Sequence, residues 1–407
     1  MSFNFDEELD RSGTGSEKYD ARKRLFGSDD ITPLWVADMD FAAPACVSEA
    51  IQKRAMHPIY GYSMVPEHLF SNLQRWVAER YDWHPNQDEI LLSPGVVPVL
   101  YAAVNALTKA GDGIIVMPPV YPPLFKAVSD NQRELILNPL LITHRDQSQS
   151  VDKGAECLNA PAQTLHYEID WDGLELCAKK AKMLLFCSPH NPVGRVWRRS
   201  ELAQLLDVAE RHDLIIISDE IHADLTFVPH TVLATLPGAE KRVITAMAPS
   251  KTFNMPGLGL AWLVAPEIAQ REAIKAQYAK LAIHVNNPLS MVATEAAYGH
   301  GHDWLAALLN YVKITHDEVV ARLAEHPQAP QGIAAEGTYL LWLDCRHTGL
   351  DDQALQRHFV EKAKLGLSAG VFFGEAGRGF MRVNLAAPRR IVSEAIERLI
   401  ESFTQPS

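Results

Sequence analysis

Short, continuously apolar runs that alternate with amphipathic helical segments are the feature of this chain that most restricts its fold. The runs contain few polar residues and stop at Gly, Pro, Ser or Asp. Strands of this kind are buried on both faces, which is typical of a parallel sheet covered by helices on each side. The sequence therefore predicts an α/β fold, a three-layer sandwich with a mostly parallel central sheet. The predicted strands are 89–92, 113–117, 182–187, 213–218, 243–246 and 259–264.

Helical periodicity fills the stretches between these runs and continues after them. It predicts helices over 96–107, 201–211 and 266–283, with Ser200 as the N-cap of the second helix. Beyond residue 285 the pattern changes, which indicates a second, smaller α/β unit. Its predicted elements are helices 304–326 and 389–403 and strands 339–344 and 380–384.

Two polar segments break this pattern. Residues 1–30 are rich in Gly, Ser and charged side chains, which indicates an arm, and MSFNFDEELDRSG at its start is too acidic and polar for a signal peptide. Residues 144–165 have no hydrophobic period and are interpreted as a surface insertion.

Composition excludes several classes of protein. The 407 residues include 38 basic and 50 acidic ones, a net charge of −12, which argues against binding to nucleic acid or to an anionic membrane surface. No apolar run approaches the ~20 residues that span a bilayer. His300 and His302 form an H-x-H pair without a third ligand, so no metal site is predicted. The cysteines are scattered without ligand spacing, which predicts a reduced cytoplasmic protein; they are Cys46, Cys157, Cys177, Cys187 and Cys345.

Polar side chains follow several strands of the predicted sheet, where ligands of parallel sheets bind. Tyr121 follows the second strand, Asn191 the third, and Asp219 the fourth, while Lys251 comes just after the fifth. Singly, each has an ordinary explanation: a packed aromatic, an Asn-Pro turn, a strand-end acid and a surface lysine. Small and apolar neighbours would lower the pKa of Lys251 and make it a candidate Schiff-base amine.

Two further features complete this set. The turn Ser93-Pro94-Gly95 leads from a strand into a helix, so the amides of Gly95, Val96 and Val97 are predicted to point outward and bind phosphate. Arg382 lies within an apolar strand, where a buried guanidinium needs a carboxylate from the protein or from a substrate.

Together these residues are the parts needed to hold pyridoxal phosphate. The turn at Gly95 would bind the phosphate, and Tyr121 would stack on the ring. Asn191 would donate to the ring oxygen, Asp219 would pair with the ring nitrogen, and Lys251 would form the covalent link.

The chain resembles the pyridoxal-phosphate enzymes of fold type I, in the class I/II aminotransferase superfamily, over nearly its whole length. More closely, it resembles the cystathionine β-lyase, or cysteine-S-conjugate β-lyase, branch. The resemblance implies residues 1–45 as arm and part of the small domain, 46–285 as the large cofactor-binding domain and 286–407 as the small C-terminal domain. The segments that carry it are WVADMDF at 35–41, YGY at 60–62, SPHNPVGRVW at 188–197, SDEIHADL at 218–225, APSKTFN at 248–254 and FGEAGRGFMRVN at 373–384.

The resemblance also assigns roles at the cofactor. It implies that Lys251 carries the cofactor, with Asp219 at the pyridine nitrogen and Asn191 and His222 near the ring oxygen. The arginine that many relatives carry eight residues after the lysine is replaced by Gly259. The phosphate would therefore be bound by the helix amides, by Ser250, and by Tyr62 of the partner subunit in a homodimer with shared active sites.

The activity implied by the resemblance is α,β-elimination. The expected substrates are L-cystathionine and related cysteine S-conjugates, which would give a thiol such as homocysteine, pyruvate and ammonia. Arg382, Asn191, Ala37 and Asp38 would bind the amino-acid substrate, and Tyr121 would assist Lys251 in proton transfer. Two alternatives stay open: a pyridoxal-phosphate-dependent aminotransferase, and a cofactor-binding regulatory protein that acts through protein–protein contact.

Overall fold

A seven-stranded sheet forms the centre of the molecule in the computed structural model, which describes residues 3–146 and 163–404. The strands are β1 Thr32–Pro33, β2 Ile90–Ser93, β3 Gly113–Val116, β4 Glu134–Leu137, β5 Leu141–Asp146, β6 Gln163–Glu168, β7 Ala181–Cys187, β8 Ile215–Asp219, β9 Val243–Met247, β10 Ala261–Val264, β11 Gln331–Ile333, β12 Leu340–Asp344, β13 Leu365–Gly366, β14 Ser368–Ala369 and β15 Phe380–Asn384.

Helices cover the sheet and connect its strands. They are α1 Glu17–Asp20, α2 Arg22–Phe26, α3 Ala45–Ala55, α4 Glu67–Tyr81, α5 Val96–Leu107, α6 Pro123–Ser129, α7 Trp171–Ala178, α8 Arg199–Arg211, α9 Pro249–Thr252, α10 Ile268–Lys280, α11 Pro288–His300, α12 His302–Ala324, α13 Asp352–Glu361 and α14 Arg389–Thr404. None of the helices in the described part of the chain is long and apolar enough to cross a membrane.

The strand order of the large sheet is β2-β10-β9-β8-β7-β3-β4. The pairs from β9 to β4 are parallel, as predicted, whereas β10 is antiparallel to both β9 and β2. The connection 248–260 holds the four-residue helix α9 and a three-residue 3-10 helix, Pro256–Leu258, neither of which is long enough to cross a face of the sheet. The chain therefore re-enters the sheet from the edge at which β9 ends, because a parallel strand would need a long crossover.

Alternating side chains of each strand enter two different cores, which makes the sandwich three-layered. Ile114 and Val116 face α5, α6 and α10, while Ile115 faces α7 and α8. Every residue of β3 is buried. Double-sided burial explains why these strands are continuously apolar in sequence, and the predicted α/β class is confirmed.

Most predicted elements are present with ends shifted by one to three residues, but the N-cap at Ser200 is wrong. Helix α8 begins at Arg199, with Arg198 as its N-cap. The backbone N–H of Arg198 donates to Oε2 of Glu201 at 2.7 Å. A side chain from the first turn of the helix therefore accepts a hydrogen bond from the N-cap backbone.

A second sheet, in the order β11-β12-β15-β14, forms the smaller unit together with α12, α13 and α14. The N-terminal strand β1 pairs in parallel with β13. The prediction of an irregular insertion over 144–165 is wrong at its ends, since β5 and β6 pair in antiparallel fashion there. The rest of that prediction, 147–162, lies outside the described residues.

The N-terminal segment is more buried than its polar composition predicts. Phe5 packs edge-on against Phe41 at 5.1 Å and against Trp304 at 5.7 Å. The side chain of Lys18 is fully buried. The segment therefore packs onto the body of the molecule.

Candidate active site

Four of the predicted residues lie at the carboxyl ends of four neighbouring strands. Lys251 follows β9, Asp219 ends β8, Asn191 follows β7 and Tyr121 follows β3. Their order along the chain equals their order across the sheet, because β3, β7, β8 and β9 are successive neighbours in it. All four line one cavity of about 250 Å³.

The start of α5 lies on the same cavity. Gly95 is the N-cap of this 12-residue helix, and Gly95, Val96 and Val97 line the cavity together with Ser250. The positive end of a helix dipole and its free N–H groups attract anions. Gly259, which replaces an arginine of many relatives, has φ +58° and would hold a Cβ 3.4 Å from the Pro94 carbonyl.

Asp219 is a buried carboxyl group without a neutralising ion pair among the described residues. Its Oδ1 accepts a hydrogen bond from the Ile221 N–H at 3.2 Å. Burial, aided by the charge of Glu220, raises the pKa of Asp219 to about 7, although the Ile221 N–H and Lys251 act in the opposite direction. A cation in the cavity would stabilise its ionised form.

Lys251 points into the cavity from α9. Its Nζ donates to the carbonyl oxygen of Ala37 at 2.6 Å. Burial, followed by the charge of Arg382, lowers the pKa of Lys251 to about 8, while Asp38 and Asp219 act to raise it. A substantial fraction of this amine is therefore neutral near physiological pH, which is the form that acts as nucleophile or base.

Arg382 enters from the second sheet, in the middle of β15 rather than at a strand end. Its Nη1 donates to Oδ1 of Asn191 at 3.0 Å and its Nη2 to the Trp35 carbonyl at 2.8 Å. Its Nε has no partner among the described residues, and burial lowers its pKa to about 10. No described carboxylate pairs with it, which leaves this buried charge available to an anionic ligand.

Asn191 links the two sheets. Because a guanidinium only donates, Asn191 presents Oδ1 to Arg382, and its Nδ2 is left to donate elsewhere. The two residues are 191 positions apart in the chain, so their contact depends on how the smaller unit packs against the large sheet.

His222 and Tyr339 lie together next to Lys251. Their ring centroids are 6.2 Å apart in an edge-on arrangement. Burial, then the charges of Lys251 and Arg382, lowers the pKa of His222 to about 3, so the imidazole is neutral. Its Nδ1 is buried and has no partner in the described part of the chain, while the Tyr339 hydroxyl donates to the Ala37 carbonyl at 3.0 Å.

The remaining predicted residues occupy different positions. Ala37 lines the cavity, whereas Asp38 lines a wider cleft of about 900 Å³ that opens outward from Lys251. Tyr62 is fully exposed and does not line the cavity of its own chain. It lies in a stretch of exposed apolar side chains, which are Met56, Ile59, Tyr60, Tyr62 and Met64.

Sequence reasoning missed several residues that shape this site. In the sequence Tyr339 stands only in a predicted strand and Phe373 only in a motif, whereas the structure places the centre of the Phe373 ring 4.8 Å from the guanidinium carbon of Arg382. Ser368 donates to the Trp35 carbonyl at 2.8 Å, beside Arg382. The contacts of Tyr339 with Ala37 and of Ser368 with Trp35 join residues more than 300 positions apart, so no local pattern in the sequence could have found them.

The described residues fit pyridoxal phosphate. One cavity is shared by a buried carboxyl group without a counter-cation among the described residues, a lysine of lowered pKa, an amide with a free donor and a helix N-terminus. These are the groups that a pyridine nitrogen, an aldehyde, a ring hydroxyl and a phosphate require. No group of three or more possible metal ligands occurs within 3–146 and 163–404.

Comparison with known proteins agrees with this geometry. The family model described as aminotransferase class I and II matches residues 29–401. The chain is 35% identical to the cystathionine beta-lyase PatB of Bacillus subtilis, over 97% of this chain and 98% of that protein. It is 30% identical to protein MalY of Escherichia coli, over 98% and 99%.

A solved structure extends the likeness to three dimensions. Cystalysin from Treponema denticola, which contains a pyridoxal 5′-phosphate cofactor, superposes with a TM-score of 0.90 at 32% identity, over 99% of each chain. Pyridoxal phosphate is therefore the cofactor of this fold and of this chain. The chain belongs to the class I and II aminotransferase family of pyridoxal-phosphate enzymes, in its cystathionine β-lyase branch.

Proposed function

We propose that the protein is a carbon–sulfur β-lyase that splits L-cystathionine and related cysteine S-conjugates into a thiol, pyruvate and ammonia. The observation that carries this proposal is that Lys251 and Asp219 line one cavity with Asn191, and that Arg382, which has no carboxylate partner among the described residues, donates to Asn191 at 3.0 Å. Relatives named cystathionine beta-lyase match over the full length of the chain. In cystathionine the distal part leaves as homocysteine.

The cofactor side of the site consists of residues at the sheet edge. We assign Asp219 to the pyridine nitrogen, Asn191 and His222 to the ring oxygen, and Tyr121 to the face of the ring. Gly95, Val96, Val97 and Ser250 would bind the phosphate through N–H groups and a hydroxyl. Bound there, pyridoxal phosphate supplies an electron sink for the negative charge that develops at the substrate Cα.

The substrate side would be formed by Arg382, Asn191 and the segment around Ala37 and Asp38. A guanidinium already held by Asn191 and Trp35 is fixed in place, so it can bind a carboxylate without first being ordered. Burial strengthens that attraction, since little water competes for either charge.

Lys251 would move the proton. In its neutral form the amine accepts the proton from Cα, and the carbonyl of Ala37 and the hydroxyl of Tyr339 fix its direction of approach. Tyr121 would assist near Cβ, and its pKa is raised by burial and by Asp219, so it holds its proton at neutral pH. A thiolate then leaves from Cβ, which is favourable because thiols have a pKa of about 8.5.

An assay without any keto acid separates this activity from its main alternative. Purified protein with added pyridoxal phosphate is expected to release free thiol and pyruvate in equal amounts from cystathionine. An aminotransferase would release neither thiol nor pyruvate, and would form a new amino acid only when a keto acid acceptor is supplied. That second pattern would contradict the lyase proposal.

We also propose a homodimer with shared active sites. The exposed apolar stretch from Met56 to Met64 supports this proposal, since contiguous apolar surface of this kind marks interfaces. Tyr62 at its centre would then bind the phosphate of the partner subunit's cofactor. Tyr62→Phe is expected to weaken cofactor affinity without lowering the melting temperature, and a monomer in analytical ultracentrifugation would contradict the assignment.

Within the described residues the cysteines are free, which supports our proposal that the protein works in the reducing cytoplasm. The domain boundaries proposed above, 1–45, 46–285 and 286–407, can be tested by limited proteolysis.

A further inference from the structure

Two cations of the N-terminal segment form ion pairs with two carboxylates next to the candidate active site. Nη2 of Arg11 is 2.6 Å from Oδ2 of Asp38, and its Nη1 is 2.6 Å from Oδ1 of Asp40. Nζ of Lys18 is 2.8 Å from Oδ2 of Asp40 and 3.8 Å from Oδ1 of Asp38. Each carboxylate therefore faces both cations. We call these four residues the arm cluster.

Burial distinguishes the arm cluster from an ordinary surface ion pair. Lys18 is 0% exposed and Asp40 5%, and the Arg11 and Asp38 side chains are 23% and 19% exposed. Removing such charges from water costs free energy, and apolar replacements of buried ion pairs are often as stable. Apolar packing, as at Phe5, could hold the segment to the body. What the arm cluster adds is a fixed geometry.

Both carboxylates belong to the segment 35–40. The backbone of this segment contacts residues in and around the active site. The Ala37 carbonyl accepts from Nζ of Lys251 at 2.6 Å and from the Tyr339 hydroxyl at 3.0 Å. Nδ2 of Asn384 donates to the carbonyls of Val36 and Asp38 at 2.7 and 2.6 Å. The Asp38 and Asp40 side chains therefore contact the cations of the arm cluster. Backbone carbonyls of the same segment contact Lys251, Tyr339 and Asn384.

We propose that Arg11 and Lys18 are positioning residues for the reaction: by binding Asp38 and Asp40 they hold the Ala37 carbonyl against Lys251. They act through the segment and not on the reacting atoms. The inference rests on the proposed function, because it concerns the amine that this function uses. It deepens that function by adding residues from the N-terminal segment to the site.

The charges around Lys251 support the same inference. Asp38 and Asp219 favour its charged form, while Arg382 and burial favour its neutral form, and neutral His222 and Tyr339 complete its surroundings. Arg11 offsets the charge of Asp38 at 2.6 Å. Loss of Arg11 would leave that carboxylate less neutralised, which favours the protonated form at position 251.

Arg11→Met in the full-length holoenzyme tests the proposal. We expect kcat per bound cofactor to fall about tenfold or more, since small displacements of reacting groups cost up to about 100-fold. The pH midpoint of the absorbance change of the bound cofactor should move upward. Arg11→Lys should recover part of both losses, because one ammonium group can still bind Asp38.

Glu8→Gln is the matched control. It breaks the 2.5 Å ion pair between Glu8 and Arg390, another attachment of the same segment, without touching the arm cluster. Its kcat and pH midpoint should equal those of the unaltered enzyme. If Arg11→Met lowers only the melting temperature and leaves kcat, KM and the pH midpoint at control values, the role is structural and the proposal is wrong.

Lys18→Met is a second variant of the arm cluster. If Lys18→Met does not fold, the Arg11 variants alone decide whether the arm cluster has a positioning role. Failure of the proposed function is a separate outcome. In that case the unaltered enzyme itself would release no thiol from cystathionine, although cofactor absorbance and its pH midpoint could still be compared between variants.

Discussion

The two sides of the cavity are built in different ways and carry opposite unbalanced charges. The cofactor side comes from neighbouring strand ends of one parallel sheet, where Asp219 is a buried acid without an ion-pair partner in the described chain. The substrate side joins Trp35 to Arg382, which lies 347 positions later and has no carboxylate partner there. A ligand with a cationic ring and a carboxylate would satisfy both sides at once.

The arm cluster makes the contrast clearer. There, the buried Asp40 and the half-buried Asp38 are paired with two cations at 2.6–2.8 Å, so no charge is left over. The protein thus neutralises its buried charges where they position a segment, and leaves them unpaired where a ligand is to bind. The predictions below test this difference by removing one charged group at a time.

The largest loss is expected from Lys251→Ala. Without this amine no group in the cavity can take the proton from Cα, and we expect turnover to fall about 10³-fold or more. Thiol release from cystathionine is the measurement, and Lys275→Ala, which removes an exposed lysine, is the control. Turnover within tenfold of the control would place the catalytic amine elsewhere.

Asp219→Asn should have the next largest effect. An amide cannot keep the ring nitrogen protonated by its charge, so we expect turnover to fall about 100-fold with little loss of folded protein. Asp213→Asn is a suitable control because that carboxylate is fully exposed. Equal rates in the two variants would mean that the buried acid does not act on the cofactor.

Arg382→Met tests the substrate side. Loss of a charge-assisted contact worth about 1.5–3 kcal/mol should raise KM for cystathionine about 10- to 100-fold. Arg378→Met, which alters an exposed arginine four residues earlier, should leave KM unchanged. Since Arg382 has no carboxylate partner among residues 3–146 and 163–404, its loss should not lower the melting temperature, and a large drop would identify it as a structural residue.

The smallest effect concerns stability of the cofactor-free protein. The pKa of Asp219 is raised from 3.8 to about 7 on folding, so the unfolded chain loses this proton first as the pH rises. Folding stability from this group is therefore lost between about pH 4 and pH 7. Between pH 5 and pH 8 the free energy of unfolding of the unaltered protein, measured in urea, should fall by about 2 to 3 kcal/mol relative to that of Asp219→Asn. Parallel pH curves for the two proteins would contradict this.

The cofactor side could be predicted from the sequence because its geometry is local. Apolar runs identify the strands, parallel strands share one carboxyl edge, and residues such as Asp219 and Lys251 that follow them must lie near one another. The direction of β10 and the N-cap of α8 could not be predicted. The first depends on the connection 248–260, which has no long crossover helix, and the second on a competing Glu201 side chain.

The substrate side could not be worked out from local patterns. Arg382 was noticed as a charge in an apolar strand, but its contacts with Trp35 and Asn191 depend on the packing of two units. Lys18 has the sequence surroundings of a surface lysine, and only the tertiary structure places it out of water. Long-range contacts of this kind leave no period in the sequence.

Reduction with borohydride in the presence of pyridoxal phosphate, followed by peptide mass mapping, shows directly whether Lys251 is the residue that carries the cofactor. The account predicts one pyridoxyl group per chain, on the peptide that contains Ala248-Pro249-Ser250-Lys251, and none on that peptide in Lys251→Ala. Labelling of another lysine, or of none, would contradict the assignment of this cavity as the cofactor site.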